Sequence, residues 1–251
     1  MANATYNLAI ETSSRQGAIA LGKGDQMLCA IDLPTPRRHR VDLMPSVAKV
    51  CEDHGIKPAD IAEIYVSIGP GSFTGLRIAV TTAKVISMIT GAKIVAVPTI
   101  DVVAQNVEPS DATLAVAVNE KHGTIFGCLY EHNGDRWQAT SDADVQTLEQ
   151  LLSPKTCSSD TQCTCEKASG GSGGKTQLLG EKLPPVPSRE GLVVLDVLLA
   201  KPQVKHVWQI GQQLASDQQF IDAYALVPLY AREPEAVKLW EQNKHKRVTR
   251  S

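Results

Sequence analysis

Over residues 1–103, apolar positions fall first into short runs and then into helical stripes. Three runs, 6–13, 16–21 and 27–33, are parted by short Gly-containing turns and predict three successive strands, an antiparallel meander. Pro34 and Pro36 end the third run. Residues 38–54 place apolar side chains at helical spacing, with Gly55 behind them as a stop. Residues 61–67 predict a strand, 76–90 a helix, and 93–97 a strand closed by Pro98. The order over this stretch is βββαβα. Residues 113–118, 123–130 and 136–139 open a second set of strands. Residues 153–174 lack periodicity, are rich in Ser, Thr, Gly and Cys, and end in Ser169-Gly170-Gly171-Ser172-Gly173-Gly174, which predicts a flexible surface insertion. Residues 177–180 predict a further strand. Residues 191–199 and 204–219 predict two helices, and 235–243 a last helix that runs into a basic tail.

Two helices carry more apolar surface than one buried face needs. In 38–54, at about 100° per residue, Val41, Met44, Ala48 and Cys51 form one stripe, and Leu43, Val47 and Val50 a second beside it. Together they cover about half the circumference, wider than the roughly 100° a surface helix needs. The helix at 76–90 goes further: Leu76, Ile78, Ala79, Val80, Ala83, Val85, Ile86, Met88 and Ile89 leave only Arg77 and Lys84 as a charged line. Two readings stay open. Both helices are buried in their own domain, or each covers a sheet with one face and a partner protein with the other.

The stretch Gly69-Pro70-Gly71-Ser72-Phe73-Thr74-Gly75-Leu76-Arg77 joins an apolar strand to this second helix. Glycine there permits positive φ and close backbone approach, and the helix start offers free N–H groups to an anion or a partner. Composition narrows the classes. The chain has 251 residues, 43% of them hydrophobic, and a net charge of −2, so no global attraction to nucleic acid or an anionic membrane is expected. Aromatic residues make up 4%, which disfavours a base-stacking platform. No apolar run reaches the roughly 20 residues of a bilayer span, and no leader pattern opens the chain. The six scattered cysteines are therefore expected to be reduced thiols in the cytoplasm.

The block 68–84, with its Gly-Pro-Gly-Ser-Phe-Thr-Gly-Leu-Arg core, resembles the signature of the TsaB (YeaZ) family, glycoprotease-like companion subunits in bacterial synthesis of tRNA threonylcarbamoyladenosine (t6A). Leu8-Ala9-Ile10-Glu11-Thr12-Ser13 resembles the opening strand of that family, Val97-Pro98-Thr99 the end of the strand after the signature helix, and Pro228-Leu229-Tyr230-Ala231-Arg232 its C-terminal Pro-x-Tyr-x-Arg element. The resemblance covers roughly 6–132 and 204–236. It implies an α/β fold of the actin/sugar-kinase/Hsp70 (ASKHA) type, two lobes of mixed sheets flanked by helices. Residues 1–103 would form the N-terminal lobe, with a C-terminal helix at about 223–243 returning to it, and 104–222 the second lobe. The implied role is non-catalytic. The chain would pair with a TsaD-type catalytic paralogue that transfers a threonylcarbamoyl group to A37 of tRNA, assisted by a TsaE-type ATPase, and would meet tRNA through that complex. Relatives pair through their first two helices, and some self-associate there. The implied partner surface here is Val41, Met44, Val47, Val80, Lys84 and Val85.

Other residues invite chemical readings. Glu11, Thr12 and Ser13 stand where kinases of the ASKHA fold bind metal and phosphate. With Gly69, Gly71, Ser72, Thr74 and Gly75 they form the nucleotide or anion site of the alternative function, a nucleotide-dependent ASKHA enzyme that binds or hydrolyses ATP; a homodimer with a role outside tRNA modification is the third reading. Under the scaffold reading, ATP or ADP with Mg would bridge the two subunits rather than sit as an intrinsic cofactor. Asn119 stands where relatives usually carry Asp, which weakens any Mg²⁺-assisted reaction; Lys121 and Thr124 also depart from the family pattern. His39 has Leu43 rather than a second His four residues on, so no metal pair forms and a surface or N-terminal helix position is expected. No His-Glu-x-x-His or nucleophile elbow is present. Gly173-Gly174-Lys175-Thr176 fails as a phosphate loop because Ser169 stands where that loop needs glycine. Cys157, Cys163 and Cys165 lack a matching pair at zinc-finger spacing. The basic tail 244–250 reads as a solvated end, with tRNA phosphates as its conceivable contact.

Overall fold

The structure, a computed structural model, describes residues 5–36, 38–120, 123–153 and 175–231. The predicted insertion, Lys121, the 235–243 helix and the basic tail lie outside these residues, apart from Ser153 at the start of the insertion.

The first sheet has the order β3-β2-β1-β4-β5. Strands β1 (Tyr6–Glu11), β2 (Ala18–Lys23) and β3 (Gln26–Asp32) form the antiparallel meander that their spacing predicts. Strands β4 (Ile61–Gly69) and β5 (Lys93–Pro98) join β1 in parallel, with α2 (Phe73–Thr90) as the crossover between them. Both faces of this sheet are covered, so its strands alternate between two apolar sets. Leu8, Ile10, Ile19, Leu21, Ile64, Val66 and Ile94 face α1 (His39–Asp53) and α2. Ala9, Ala18, Ala20, Tyr65, Val95 and Val97 face α5 (Val204–Ser216). The small alanines on this second face leave room for Tyr65 and Trp208, and Trp208 Nε1 donates to Asn7 Oδ1 at 2.6 Å.

The second sheet runs β11-β10-β6-β7-β8, with β9 also paired to β7. Its centre is β6 (Thr113–Asn119), antiparallel to β7 (Thr124–His132) and parallel to β10 (Thr176–Glu181). The edges are β8 (Trp137–Ala139), β9 (Asp144–Thr147) and β11 (Leu192–Val194). One face packs on α3 (Thr99–Ala104) through Ile100, Val103 and Ala104. The other packs on α4 (Leu148–Leu152), which starts with a Thr147–Gln150 capping box.

The structure departs from the sequence expectations at four places. Residues 191–199, predicted helical, form β11 and a 3₁₀ turn at Val197–Ala200. The run Leu192-Val193-Val194 suits a pleated edge, and its pairing to β10 decides the outcome. Helix α5, which the resemblance places in the second lobe, packs on the first sheet, because Val204, Val207 and Trp208 fill the face left bare by the small side chains of β1 and β2. Residues 223–231, at the head of the expected C-terminal helix, are a turn followed by chain without regular secondary structure. Finally, α2 is by length and apolarity alone a candidate membrane span, although no run of 20 is present. Leu76, Ala79, Val80, Ala83 and Ile86 bury its inner side in the protein.

Burial also divides the partner surface implied by the resemblance. Val47 and Val80 are 1% and 4% exposed. They lie where α1 and α2 meet each other and the sheet, in one cluster with Leu43, Val50, Ala83 and Ile86, and so belong to the core rather than to an interface. Val41, Met44 and Val85 are about half exposed. A charge at position 80 would be buried without a partner. Val80→Arg is expected to cost at least about 3 kcal/mol, whereas Met88→Arg, on the outer side of the same helix, should stay within about 0.5 kcal/mol. Urea unfolding of the two variants measures the difference.

Candidate functional site

The end of β1 and the loop from Gly69 to Gly75 form one interlocked unit. Ser72 N–H donates to the Ser13 carbonyl at 2.6 Å, and Thr12 Oγ1 donates to the Gly75 carbonyl at 2.8 Å. The two backbones approach so closely that side chains are excluded. A Cβ on Gly71 would stand 2.6 Å from the Ser13 carbonyl oxygen, and one on Gly75 would collide with the Thr12 carbonyl oxygen. Gly69 has φ +114°, and its N–H donates to Thr99 Oγ1 at 2.9 Å. Ser72 caps α2, its hydroxyl accepting from Gly75 N–H at 3.3 Å. Thr74 is exposed in the first turn. All eight residues named for a nucleotide or anion site therefore come together, although several of them are committed to one another.

This unit forms one wall of a cleft between the sheets, a space of about 170 Å³. Ser13, Ser14, Arg15, Pro70, Gly71 and Thr99 line the near side, and Val116, Ala117, Val118, Gly180 and Glu181 the far side. Arg15 also borders a second hollow with His39, Ser72 and Thr74. Sequence reasoning missed Arg15, Thr99 and Glu181; Arg15 stands two residues beyond the opening-strand motif, and Thr99 ends the Val97-Pro98-Thr99 motif.

Glu11 is 1% exposed. Its Oε1 accepts both the N–H and the hydroxyl of Ser13 at 2.5 Å. Its Oε2 is sealed from solvent with no partner in hydrogen-bond geometry among the described residues. Burial pushes the acid above its ordinary pKa; the Ser13 bonds, the Ser67 hydroxyl and the nearby His39 oppose that shift without cancelling it. A metal ion cannot reach this carboxylate without displacing what covers it. His39 opens α1 as expected, yet it is buried rather than on the surface, with Nε2 3.0 Å from the Ser14 carbonyl. Asn119 is exposed at the end of β6. Among the described residues, no group of three His, Cys, Asp or Glu is placed to hold a metal ion. Cys29, Cys51 and Cys128 are free thiols, each pushed upward in pKa by burial.

A second candidate surface is apolar. Val41 and Met44 of α1 and Val85, Met88 and Ile89 of α2 are exposed, Ile89 to 79%. Tyr224 and Val227 are exposed as well, and Lys84 Nζ donates to the Tyr224 carbonyl at 3.4 Å. At the other end of α2, the Arg77 guanidinium lies 3.8 Å over the Phe73 ring, and Arg77 Nε donates to the Tyr230 hydroxyl at 3.0 Å. The Phe73 and Tyr230 rings stand 5.0 Å apart.

Two mixed sheets over a shared cleft, with an uncovered apolar helix pair, define a two-lobed α/β protein. The family described as "TsaD: tRNA N6-adenosine threonylcarbamoyltransferase" matches residues 34–237. The tRNA threonylcarbamoyladenosine biosynthesis protein TsaB of Bacillus subtilis (strain 168) is 32% identical over 145 residues, 57% of this chain and 63% of that protein. Its counterpart in Escherichia coli (strain K12) is 23% identical over 235 residues, 92% of this chain and 96% of that protein. This chain thus spans less than two thirds of the length of the Bacillus relative. Among solved structures, YeaZ from Pseudomonas aeruginosa superposes with a TM-score of 0.69 at 20% identity, over 90% of this chain and 99% of that one. A second Pseudomonas aeruginosa structure, of a protein similar to peptidase YeaZ, gives 0.71 at 19% identity over 91% and 100%. The chain belongs to the TsaB (YeaZ) family, within the wider TsaD-type group.

Two outcomes follow from the interlocked unit. Gly75→Ala forces a methyl group against backbone and is expected to cost about 1–3 kcal/mol or more in urea unfolding. Because the folded state raises the pKa of Glu11 above about 4.5, its contribution to stability is complete below the unfolded pKa and is lost as pH rises through the folded one. Relative to Glu11→Gln, the wild type should therefore gain stability as pH falls from 8 towards 4.5. Paired unfolding curves at several pH values read that difference directly.

Proposed function

We propose that this chain is a scaffold and activator subunit in t6A synthesis, pairing with a TsaD-type catalytic paralogue for threonylcarbamoyl transfer to A37 of tRNA. The observation that carries this reading is the exposed apolar strip Val41, Met44, Val85, Met88 and Ile89. The inner sides of α1 and α2 already fill the core, so this outer strip costs free energy in water unless another surface covers it. Family membership makes the paralogue the first partner to test. The TsaE-type ATPase and tRNA would join through the assembled complex. A second copy of the chain on the same strip is the competing association.

The cleft favours one addition. Its near wall offers the Ser13 and Ser14 hydroxyls, the Arg15 cation and a backbone freed of side chains at Gly71, groups that suit phosphate oxygens. ATP or ADP at the subunit boundary fits that wall, whereas the sealed Glu11 does not fit a Mg²⁺ ligand. Hydrolysis of ATP by the isolated chain, abolished in Glu11→Ala, would favour an enzyme over a scaffold.

Light scattering on a sizing column tests the pairing, first with the chain alone and then with the paralogue of the same genome. A one-to-one heteromer is expected. Met44→Asp and Ile89→Asp should weaken it by at least about tenfold, since a charge would be buried at the interface, and should leave urea stability within about 0.5 kcal/mol of wild type. A chain that ignores the paralogue refutes the scaffold role.

A further inference from the structure

The segment from Ile221 to Ala231 runs beside α2, meeting it at Lys84, Arg77 and Phe73, and touches one core cluster of each sheet. Ile221 N–H donates to the Ile94 carbonyl at 2.8 Å, at the edge strand β5. Leu226 is fully buried among the first-sheet residues, while Leu229 and Ala231 pack on the cluster of the second sheet. Between them, Tyr224 and Val227 point outward and are 78% and 64% exposed. The far end grips the signature loop. Leu229 N–H donates to the Ile68 carbonyl at 2.8 Å, and the Leu229 carbonyl oxygen lies 2.6 Å from where a Cβ on Gly69 would be. Tyr230 then stacks on Phe73 and accepts from Arg77.

We infer that this segment is a strap that couples the outer apolar face of α2 to the order of the loop at the cleft mouth, with Tyr230 as its positioning residue. The loop residues Gly69–Ser72 have few apolar contacts of their own, three of the four being glycine or proline. Their order depends on bonds from outside: Thr99 and Ser13 on one side and the strap on the other. Tyr224 and Val227 lie within five residues of Leu229. A protein seated on them restricts the strap, and the restriction is felt where Leu229 and Tyr230 clamp the loop. The identity of that protein rests on the scaffold reading above. The clamp itself belongs to this chain alone.

Hydrogen–deuterium exchange on the full chain tests both parts. Tyr230→Phe removes the hydroxyl that accepts from Arg77 but keeps the ring stack, and Tyr230→Ala removes both. Exchange across residues 69–76 is expected to rise in that order, by at least about threefold in Tyr230→Ala, while residues 113–119 in β6 keep their wild-type rate. Unchanged exchange at 69–76 overturns the clamp, as does an equal rise at 113–119, which would report only lower global stability. Adding the TsaD-type paralogue to the wild type should slow exchange at 221–231 and 69–76 together. Association seen by light scattering without slowing at 69–76 overturns the coupling and leaves the scaffold reading intact. Absence of association overturns the scaffold reading, and the free-chain comparison still decides the clamp.

Discussion

Much of this structure depends on two stretches of chain, bonded across 63 residues from Thr12 to Gly75, whose backbones press together at Gly71 and Gly75. The Ser13 and Thr12 carbonyl oxygens press on Gly71 and Gly75, and a larger residue at either place would push β1 and the start of α2 apart. That contact fixes where α2 begins, because Ser72 is both its cap and the donor to Ser13. With the start fixed, the helical repeat determines which side chains face the sheet. The same contact sets the near wall of the cleft. A packing requirement, a helix phase and the near wall of the cleft thus share one origin.

The alternation of apolar residues made the first sheet legible in sequence, because both its faces are buried and each strand declares itself within six to nine residues. The signature loop was legible through its glycines. The destination of α5 was not. Periodicity shows that 204–219 has an apolar face, but the complement of that face is a set of alanines on β1 and β2 far away in the chain. Residues 191–199 went wrong for a related reason: an apolar run of that length suits a strand or a helix, and the pairing with β10 decides. Helices α3 and α4, with six and five residues, are too short to show a period.

The doubly apolar helices set the limit on reading a site from sequence. On α1 the two stripes are equally hydrophobic, and the structure buries Leu43, Val47 and Val50 while leaving Val41 and Met44 outside. Nothing in composition separates them. What does is geometry, since Val47 and Val80 lie where three surfaces meet. Hence half of the implied interface proved to be exposed and part of it core, while Met88, Ile89 and Tyr224 had no signal except their place on the uncovered side.

The burial of Glu11 and the exposure of Arg15 give the cleft a definite sign. A carboxylate open to the cleft would repel phosphate oxygens or hold a cation to bridge them. Here Glu11 is instead turned onto Ser13, its burial favours the neutral form, and its second oxygen has no partner among the described residues. Arg15 stands at the mouth on the other side of Ser13. An anion entering the cleft therefore meets hydroxyls, bare backbone and a guanidinium, which hold charge without transferring a proton. Under the scaffold proposal such a wall would retain an anion for a neighbouring subunit, through the same loop that the inferred strap clamps.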